Sequence, residues 1–330
     1  MPEPTDHRSA KVVGVSLAVL GGFGAAVQSR VNGSLADQVH SGFGAAVISF
    51  GSGLVVLLVV VLFSGPARSA LRRVVDRLRD GGLRWWECLG GACGGFYVAA
   101  QGLTVGVLGV AVFTVAIVAG QSLSSLVIDR LGLAPGGVRL VTVGRAVGPA
   151  LTVVAVVVAM SGQSAPSRVL GLAVLPFVAG ILQAWQQAVN GRVRAATAAP
   201  DARGAGAGVA ASVTAATFLN FLVGTLALVV AFGIAVAVQG WPDGRLPPDP
   251  WLYTGGLIGM SFIAIQAAVV HRIGVLLLGL GVIAGQVVGA LVLDVVAPDG
   301  ATPGLATFVG AGLTLVAVAV PAVEGMLRRR

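Results

Sequence analysis

Ten long apolar stretches, separated by short polar connections, make up most of the sequence. Each is close to the roughly 20 residues that cross a bilayer as a helix. They lie near residues 12–32, 42–63, 86–105, 108–128, 144–161, 169–190, 206–236, 251–270, 274–294 and 303–323. Only helices or closed barrels satisfy their backbone hydrogen bonds in lipid, and these stretches are far longer than barrel strands. The pattern predicts an all-α polytopic membrane protein with ten transmembrane helices.

The composition agrees with this pattern and excludes a soluble enzyme. Of the 330 residues, 56% are hydrophobic and 10% are charged, with a mean hydropathy of +0.94, whereas soluble domains carry about 25% charged residues. The two cysteines, Cys88 and Cys93, give neither a metal-ligand spacing nor a disulfide framework. No catalytic motif is visible, and no strand precedes the glycine-rich runs. We therefore predict no enzyme activity, no cofactor and no metal site.

The second half of the chain repeats the first. Residues 86–129 align without a gap on 251–294, and the segment 28–33 matches 186–191. The matched pairs include Gln28/Gln186, Asn32/Asn190, Ser49/Asn220, Phe50/Phe221, Gly90/Gly255, Gly94/Gly259, Gln101/Gln266, Gly109/Gly274, Gly120/Gly285, Gln121/Gln286 and Asp129/Asp294. We predict a first five-helix repeat over 1–161, a linker over 162–168 and a second repeat over 169–330.

Five helices in each repeat place the second repeat upside down in the membrane. With a cytoplasmic amino terminus, 18 of the 21 Lys and Arg residues fall on the cytoplasmic side, as the positive-inside rule requires. Only Arg30, Arg168 and Arg245 then fall outside. We predict inverted repeats with both termini cytoplasmic. Since the net charge of +8 belongs to these short connections, we predict no nucleic-acid partner.

One connection is unusually rich in arginine. Segment 67–79 carries an apolar helical face, which consists of Ala70, Leu71, Val74, Val75 and Leu78. Arginines occupy the opposite face. A helix of this kind lies on a membrane surface and attracts anionic headgroups. We expect the loop 67–84 to bind anionic membrane lipids.

Several motifs are similar to those of a known transporter family. The segments are Gln28…Asn32-Gly33, His40-Ser41…Ile48-Ser49-Phe50, Gly90-Gly91-Ala92…Gly94-Gly95-Phe96-Tyr97-Val98 and Gly120-Gln121…Ile128-Asp129. They resemble the YdcZ-like family of the drug/metabolite transporter (DMT) superfamily, and the chain resembles a fused pair of its five-helix units. The resemblance implies the ten-helix, EamA-like DMT fold. It also implies transport of a small organic solute across the bacterial cytoplasmic membrane, with export favoured, but no particular substrate.

Side-chain amides recur in both repeats at matched depths. At 1.5 Å per residue, Gln121 and Gln286 lie near the centre of a roughly 30 Å hydrocarbon core. An outer and an inner cluster flank this central pair; they consist of Gln28, Asn32 and Gln101 outside, and of Gln186, Asn190 and Gln266 inside. Amides both donate and accept hydrogen bonds, which suits a neutral or zwitterionic solute. The same amides could instead only join helices, and the sequence leaves both interpretations open.

Two carboxylates, Asp129 and Asp294, end the fourth and ninth predicted spans. An acid at a helix C-terminus opposes the helix dipole, so local propensity does not explain them. Arg130 follows Asp129, whereas no cation adjoins Asp294 in the sequence. Gating or ion-binding carboxylates and solvated interfacial acids are both open interpretations.

These observations favour a transporter that works by alternating access, in which two inverted halves rock around Gln121 and Gln286. The alternative is a non-transporting membrane protein that acts as a partner or assembly factor, in which the amides only pack. A lipid-modifying enzyme ranks last because it needs buried acid and base groups. Fusion of the two repeats makes a monomer sufficient, and a homodimer is possible.

Overall fold

A computed structural model of the chain describes residues 4–133, 143–161, 171–198, 206–297 and 303–327. Within these ranges the chain forms nine α-helices and two short 3-10 helices, and it forms no strand. The α-helices are α1 (Pro4–Val39), α2 (Gly42–Phe63), α3 (Gly65–Arg79), α4 (Gly90–Arg130), α5 (Val143–Ser161), α6 (Val174–Thr197), α7 (Gly206–Gln239), α8 (Gly255–Val296) and α9 (Leu305–Leu327). The 3-10 helices are Trp85–Leu89 and Pro250–Tyr253. The predicted all-α fold class is confirmed.

Among the described residues, five helical segments are long and apolar enough to cross a membrane. They are Val12–Val39, Gly42–Phe63, Trp85–Arg130, Gly208–Gln239 and Leu277–Val296. Shorter apolar segments are Ala146–Ser161, Gly255–Gln266 and Leu305–Ala319. The predicted third and fourth spans are the two parts of α4, and the eighth and ninth both lie in α8. Residues 174–190 of the sixth lie in α6, whose polar residues lower its hydropathy. The predicted linker 162–168 lies outside the described residues.

Helix α4 is broken at Gly109, whose backbone has φ 77° and ψ 162°. A straight helix of 41 residues would be about 60 Å long, twice the thickness of the hydrocarbon core. Gly109 reverses the chain instead, because glycine adopts a positive φ at no steric cost. The break thus produces two neighbouring spans from one continuous helical run.

Each repeat packs its long helical pair against the first helix of the other repeat. Helix α4 packs on α6, and its counterpart α8 packs on α1. The contact is equivalent in both places: a Cβ at Gly120 would overlap the Phe177 carbonyl, and one at Gly285 would overlap the Val19 carbonyl. Helices α2 and α7 also pack together, as do α5 and α9. The repeats therefore intertwine, so interior residues of one repeat face residues of the other.

Helix α3 forms as predicted, but part of its apolar face is covered by protein. Ala70 and Val74 are buried, where Ala70 packs near α7 and Val74 packs against both α6 and α7. Val75 and Leu78 remain 46% and 38% exposed. Protein therefore covers one side of this apolar face, because α7 offers small alanines into which the near side of α3 fits; binding of anionic lipids by the loop 67–84 stays a prediction.

Candidate functional site

A cavity of about 380 Å³ lies between the second part of α4, α6 and α8. We call it the central cavity. Its polar lining consists of Gln121, Ser122, Ser125, Asp129, Gln183, Gln187, Gln266 and Gln286. Both members of the predicted central pair line it; Gln286 is buried and Gln121 is half-buried. The structure thus places these two amides in the wall of one cavity.

Two further cavities adjoin the central cavity. One, of about 290 Å³, is lined by Asn190, Arg194 and Thr217 among others, and a smaller one of about 100 Å³ contacts Gln28 and Gln186. Gln187 and Gln266 line all three cavities. The second-repeat amides predicted as the inner cluster therefore border three cavities that share lining residues.

The first-repeat cluster, which consists of Gln28, Asn32 and Gln101, is buried and hydrogen-bonded within the protein, and Gln28 alone of the three contacts one of these cavities, the smallest. Asn32 and Gln101 have no exposed surface, and the Asn32 Nδ2 atom donates to Gln101 Oε1 at 2.6 Å. The Gln101 Nε2 atom donates in turn to Ser29 Oγ at 2.8 Å. Gln28 Nε2 donates to the Gly255 carbonyl at 3.0 Å. These bonds join α1 to both α4 and α8.

The second-repeat cluster, which consists of Gln186, Asn190 and Gln266, is arranged differently. Gln186 Nε2 and Asn190 Nδ2 both donate to Asn220 Oδ1, at 2.9 and 3.0 Å. All three members of the cluster are half-buried. Asn190 does not pair with Gln266 among the described residues, although the equivalent first-repeat pair is bonded. Instead, Gln266 faces the cavities.

The repeated glycines leave room for these amides. A Cβ at any of four glycines would come within 3 Å of an amide atom from the opposite repeat. The pairs are Gly90 with Asn190, Gly94 with Gln186, Gly255 with Asn32, and Gly259 with Gln28. Small residues at these positions let the helices and their polar side chains approach closely.

Asp294 is buried and paired, so the interpretation of a solvated interfacial acid is wrong for this residue. It is 5% exposed, and Oδ1 accepts from Arg30 Nη2 at 2.9 Å. The carboxylate also accepts the backbone N–H groups of Val110 and Ala111, at 3.0 and 2.7 Å. These N–H groups start the second part of α4, where an acid at a helix N-terminus is favourable. Asp294 therefore opposes the dipole of its own helix but caps another.

Arg30, which the charge pattern counts among the few cations on the outer side, is not a solvated charge. It lies inside α1, which continues to Val39, and is 7% exposed. Asp129, the repeat partner of Asp294, is instead half-exposed and lines the central cavity. Two carboxylates at equivalent positions thus have different surroundings.

A second ion pair also joins the two repeats. Arg192 Nη1 contacts Glu87 Oε1 at 2.7 Å, and the Glu87 side chain is 5% exposed. The same arginine donates to the carbonyls of Gly132 and Leu133 at 3.0 and 2.7 Å. Arg192, near the end of α6, therefore joins this helix to the segments just before and just after α4.

Three polar residues at this site escape the sequence prediction: Gln183, Gln187 and Asn220. The first two follow helical i, i+4 spacing on α6, which is a usable signal, but they correspond to Ala25 and Ser29 in the first repeat. Asn220 corresponds to Ser49. A search for repeated amides passes over all three. Among the described residues, no group of three or more His, Cys, Asp or Glu side chains could hold a metal ion.

Two intertwined helical repeats that enclose an amide-lined cavity define the class as a polytopic membrane protein with a polar interior. The family described as "Putative inner membrane exporter, YdcZ" matches residues 13–158 and, a second time, residues 171–320. The chain belongs to this DMT_YdcZ family and carries its unit in tandem. It is a multi-pass inner-membrane protein of a transporter family, which is not an enzyme class, and an exporter family implies a small-molecule solute.

Comparison with solved structures supports the fold alone. A crystal structure described only as "Crystal structure of protein" superposes with a TM-score of 0.56 at 19% sequence identity. The similarity covers 98% of this chain and 99% of that chain. A search of curated proteins finds no match.

Proposed function

We propose that the protein exports a small neutral or zwitterionic solute across the inner membrane by alternating access. The observation that carries the proposal is the contrast between two equivalent amide clusters. The first is buried and touches only the smallest cavity, through Gln28, whereas the second borders all three cavities. In inverted-repeat transporters, the two repeats exchange conformations around a site near the membrane midplane. One repeat is then closed while the other is open.

The charge pattern assigns a side of the membrane to each cluster. It places the first-repeat cluster toward the outside and the second-repeat cluster toward the cytoplasm. In this orientation, the described conformation is closed to the outside and open to the cytoplasm, as a solute-free exporter must be to load. The Arg30–Asp294 pair then belongs to the outer closure.

Movement of the solute would exchange the two arrangements. In the outward-open state, Gln101 would leave Asn32 and face a cavity, whereas Gln266 would pair with Asn190. Gln121 and Gln286 line the central cavity in the described state and are symmetry-related, so both states would present an amide to the solute. A monomer is sufficient for this cycle because the chain carries both repeats, and a homodimer is not required.

Anionic lipids are proposed partners at the cytoplasmic surface. Arg73 is half-buried, whereas Arg68, Arg72, Arg77 and Arg79 are exposed on α3. Arg73 Nε already donates to the Thr197 carbonyl at 2.8 Å. Since α3 packs on α6 and α7, headgroups bound there would contact the same helices that border the cavities.

The test combines ligand screening with flux. Radiolabelled amino acids, sugars, nucleosides and polyamines that stabilise the purified protein would be measured for uptake into everted vesicles. We expect Gln121→Ala with Gln286→Ala to abolish this uptake without unfolding the protein, and Gln239→Ala, on the exposed end of α7, to leave it unchanged. Undiminished uptake in a folded double variant would contradict the proposed site. A non-transporting partner protein predicts no uptake of any compound.

A further inference from the structure

Two charged side chains lie in the walls of the three cavities, and their charges are opposite in sign. Among the described lining residues, the central cavity has one charged member, Asp129. The cavity of about 290 Å³, which we call the Arg194 cavity, also has one, Arg194, and the smallest cavity has none. Asp129 and Arg194 are both half-buried. The described walls therefore offer a bound solute one negative and one positive group.

The two charged groups do not pair with each other. Arg192 is held by Glu87 at 2.7 Å, whereas Arg194 forms no ion pair with any residue that the structure describes. Of the described lining residues, only Gln187 and Gln266 belong to both the central cavity and the Arg194 cavity. These amides therefore mark the border between the two charges. A solute that reaches both must pass them, so its own charges must be several bonds apart.

Duplication does not account for the positive end. Arg194 corresponds to Ala36 of the first repeat, and Thr217, on the facing wall of the Arg194 cavity, corresponds to Ala46. Both alanines are buried. A cation in the last turn of a helix also suits the helix dipole, but that role requires neither a cavity nor polar groups around it. The positive end of the site is thus a property of the second repeat.

The negative end has acceptors of its own. Ser122 and Ser125 precede Asp129 by about two turns and one turn of α4, and all three line the central cavity. Hydroxyl oxygens accept hydrogen bonds as a carboxylate does. The carboxyl end of a helix also attracts cations, and α4 ends at Arg130. An ammonium group, which has three N–H donors and a positive charge, matches this end of the site.

A carboxylate matches the positive end. A guanidinium group binds a carboxylate through two parallel hydrogen bonds, and the amides of Gln187 and Asn190 line the same cavity. The described walls carry one charge of each sign, and complementary charge favours a solute with the same balance. A carboxylate balances an ammonium group, whereas a phosphate monoester carries nearly two negative charges.

We propose that the solute is a zwitterion with an ammonium group at one end and a carboxylate at the other, as in an ω-amino acid or a dipeptide. Asp129 binds the ammonium group in the central cavity, and Arg194 binds the carboxylate in the Arg194 cavity. The solute lies across the border that Gln187 and Gln266 mark. This proposal rests on the proposed function and narrows the substrate class of the same site.

Thermal unfolding of the full-length protein in detergent, at matched ionic strength, tests the two charges on the solute. The probes are 6-aminohexanoate and alanylalanine. Matched compounds are 6-aminohexanamide, which lacks the carboxylate, N-acetyl-6-aminohexanoate, which lacks the ammonium group, and glycine, which has both charges close together. A ligand that binds the native state raises Tm in a saturable manner. We expect 6-aminohexanoate to bind about tenfold more tightly than each matched compound.

Two variants that each remove one charge assign the ends of the solute. Arg194→Gln should weaken binding of 6-aminohexanoate about tenfold and leave binding of 6-aminohexanamide unchanged, because that compound has no carboxylate. Asp129→Asn should weaken 6-aminohexanoate similarly and leave the N-acetyl compound unchanged. Arg194→Lys retains the charge and should retain most of the binding. Arg79→Gln and Asp76→Asn make the same changes at exposed positions of α3 and should have no effect.

Each other outcome overturns the proposal. It fails if neither 6-aminohexanoate nor alanylalanine gives a saturable shift, or if a matched compound binds as tightly as 6-aminohexanoate. It also fails if Arg194→Gln or Asp129→Asn binds 6-aminohexanoate as well as the wild type does. The comparison of compounds on the wild type needs no variant, so it decides the question even where a variant does not fold. Failure of the transport proposal is distinguishable, because side-specific cysteine labelling requires no ligand.

Discussion

The first-repeat and second-repeat clusters contain the same residue types at equivalent positions, yet their side chains have different partners. Asn32 bonds Gln101 in a packed interior, whereas Asn190 bonds Asn220 and Gln266 faces cavities. One neighbour also differs, since Asn220 offers an acceptor where the first repeat has Ser49. Equivalent amides can therefore close one end of the molecule and leave the other open.

The Arg30–Asp294 pair is expected to give the largest difference between the two ends. Asp294→Ala removes an ion pair and two helix-capping bonds at once, and breaking a buried pair costs about 3–5 kcal/mol. Asp129→Ala is the matched change at a half-exposed position and should cost much less. Thermal unfolding of both variants in detergent measures the contrast, and equal losses would argue against it.

The turn at Gly109 is expected to be the next most sensitive position. Gly109→Ala places a side chain at φ 77° and brings its Cβ to 3.0 Å from Asp294 Oδ2. We expect a loss toward the upper end of about 1–3 kcal/mol. Gly51→Ala in α2, where a Cβ would meet nothing within 4 Å, should be neutral. A neutral Gly109→Ala would mean that the carboxylate does not fix this turn.

The amide clusters can be compared directly with one matched substitution. Gln101→Leu leaves the Asn32 amide without its acceptor in a fully buried position, at a cost of about 1–3 kcal/mol. Gln266→Leu changes the equivalent residue at the cavity wall, and we expect a change within about 0.5 kcal/mol. Their free energies of unfolding, taken from thermal or denaturant melts, should differ. Similar values would show that the two clusters are packed alike.

Substitutions of Asn220 and Ser49 are expected to change stability less, and they test the hydrogen bonds of each cluster separately. Asn220→Ala removes the acceptor of both Gln186 and Asn190. Since those donors are half-buried and can bind water, we expect a loss of about 1 kcal/mol. Ser49→Ala deletes a buried hydroxyl oxygen that has no partner among the described residues, so stability should stay the same or rise. The reverse order would contradict the assigned hydrogen bonds.

The smallest expected effect lies in the loop after α7. The hydrogen bond between His40 Nδ1 and Asp243 Oδ1, 2.9 Å long, lowers the pKa of this exposed carboxyl below its ordinary value of 3.8. Stability from this pair is present above the ordinary pKa and is lost as pH falls through the lowered one. His40→Ala should raise the Asp243 pKa toward 3.8, as NMR titration would show. His40→Ala should leave solute binding in the central cavity unchanged. A different ligand-induced shift in Tm would mean that this loop and the cavity are coupled.

Much of the architecture could be predicted because it follows from local patterns in the sequence. Apolar length predicts the helices, and the gapless match of 86–129 with 251–294 predicts the repeats. The Arg30–Asp294 pair could not be found this way, since its members are 264 residues apart and no local pattern links them.

At the candidate site, the sequence could predict only the residues that recur in both repeats. Repetition identifies Gln121 and Gln286, but a repeat cannot indicate which of two equivalent clusters is closed in a given conformation. It also conceals Gln183, whose counterpart is Ala25. The residues that break the symmetry are visible only when the structure shows which side chains share a cavity.

Side-specific labelling of Gln101→Cys and Gln266→Cys tests the central claim most directly. Both would be made with Cys88→Ser and Cys93→Ser and treated with an impermeant maleimide from either side of the membrane. Gln266→Cys should react from the cytoplasmic side, and Gln101→Cys should react slowly from the outside only. Adding Asp294→Asn, which weakens the outer closure, should speed labelling of Gln101→Cys and slow labelling of Gln266→Cys. Labelling of both cysteines from one side, or rates that Asp294→Asn leaves unchanged, would contradict alternating access.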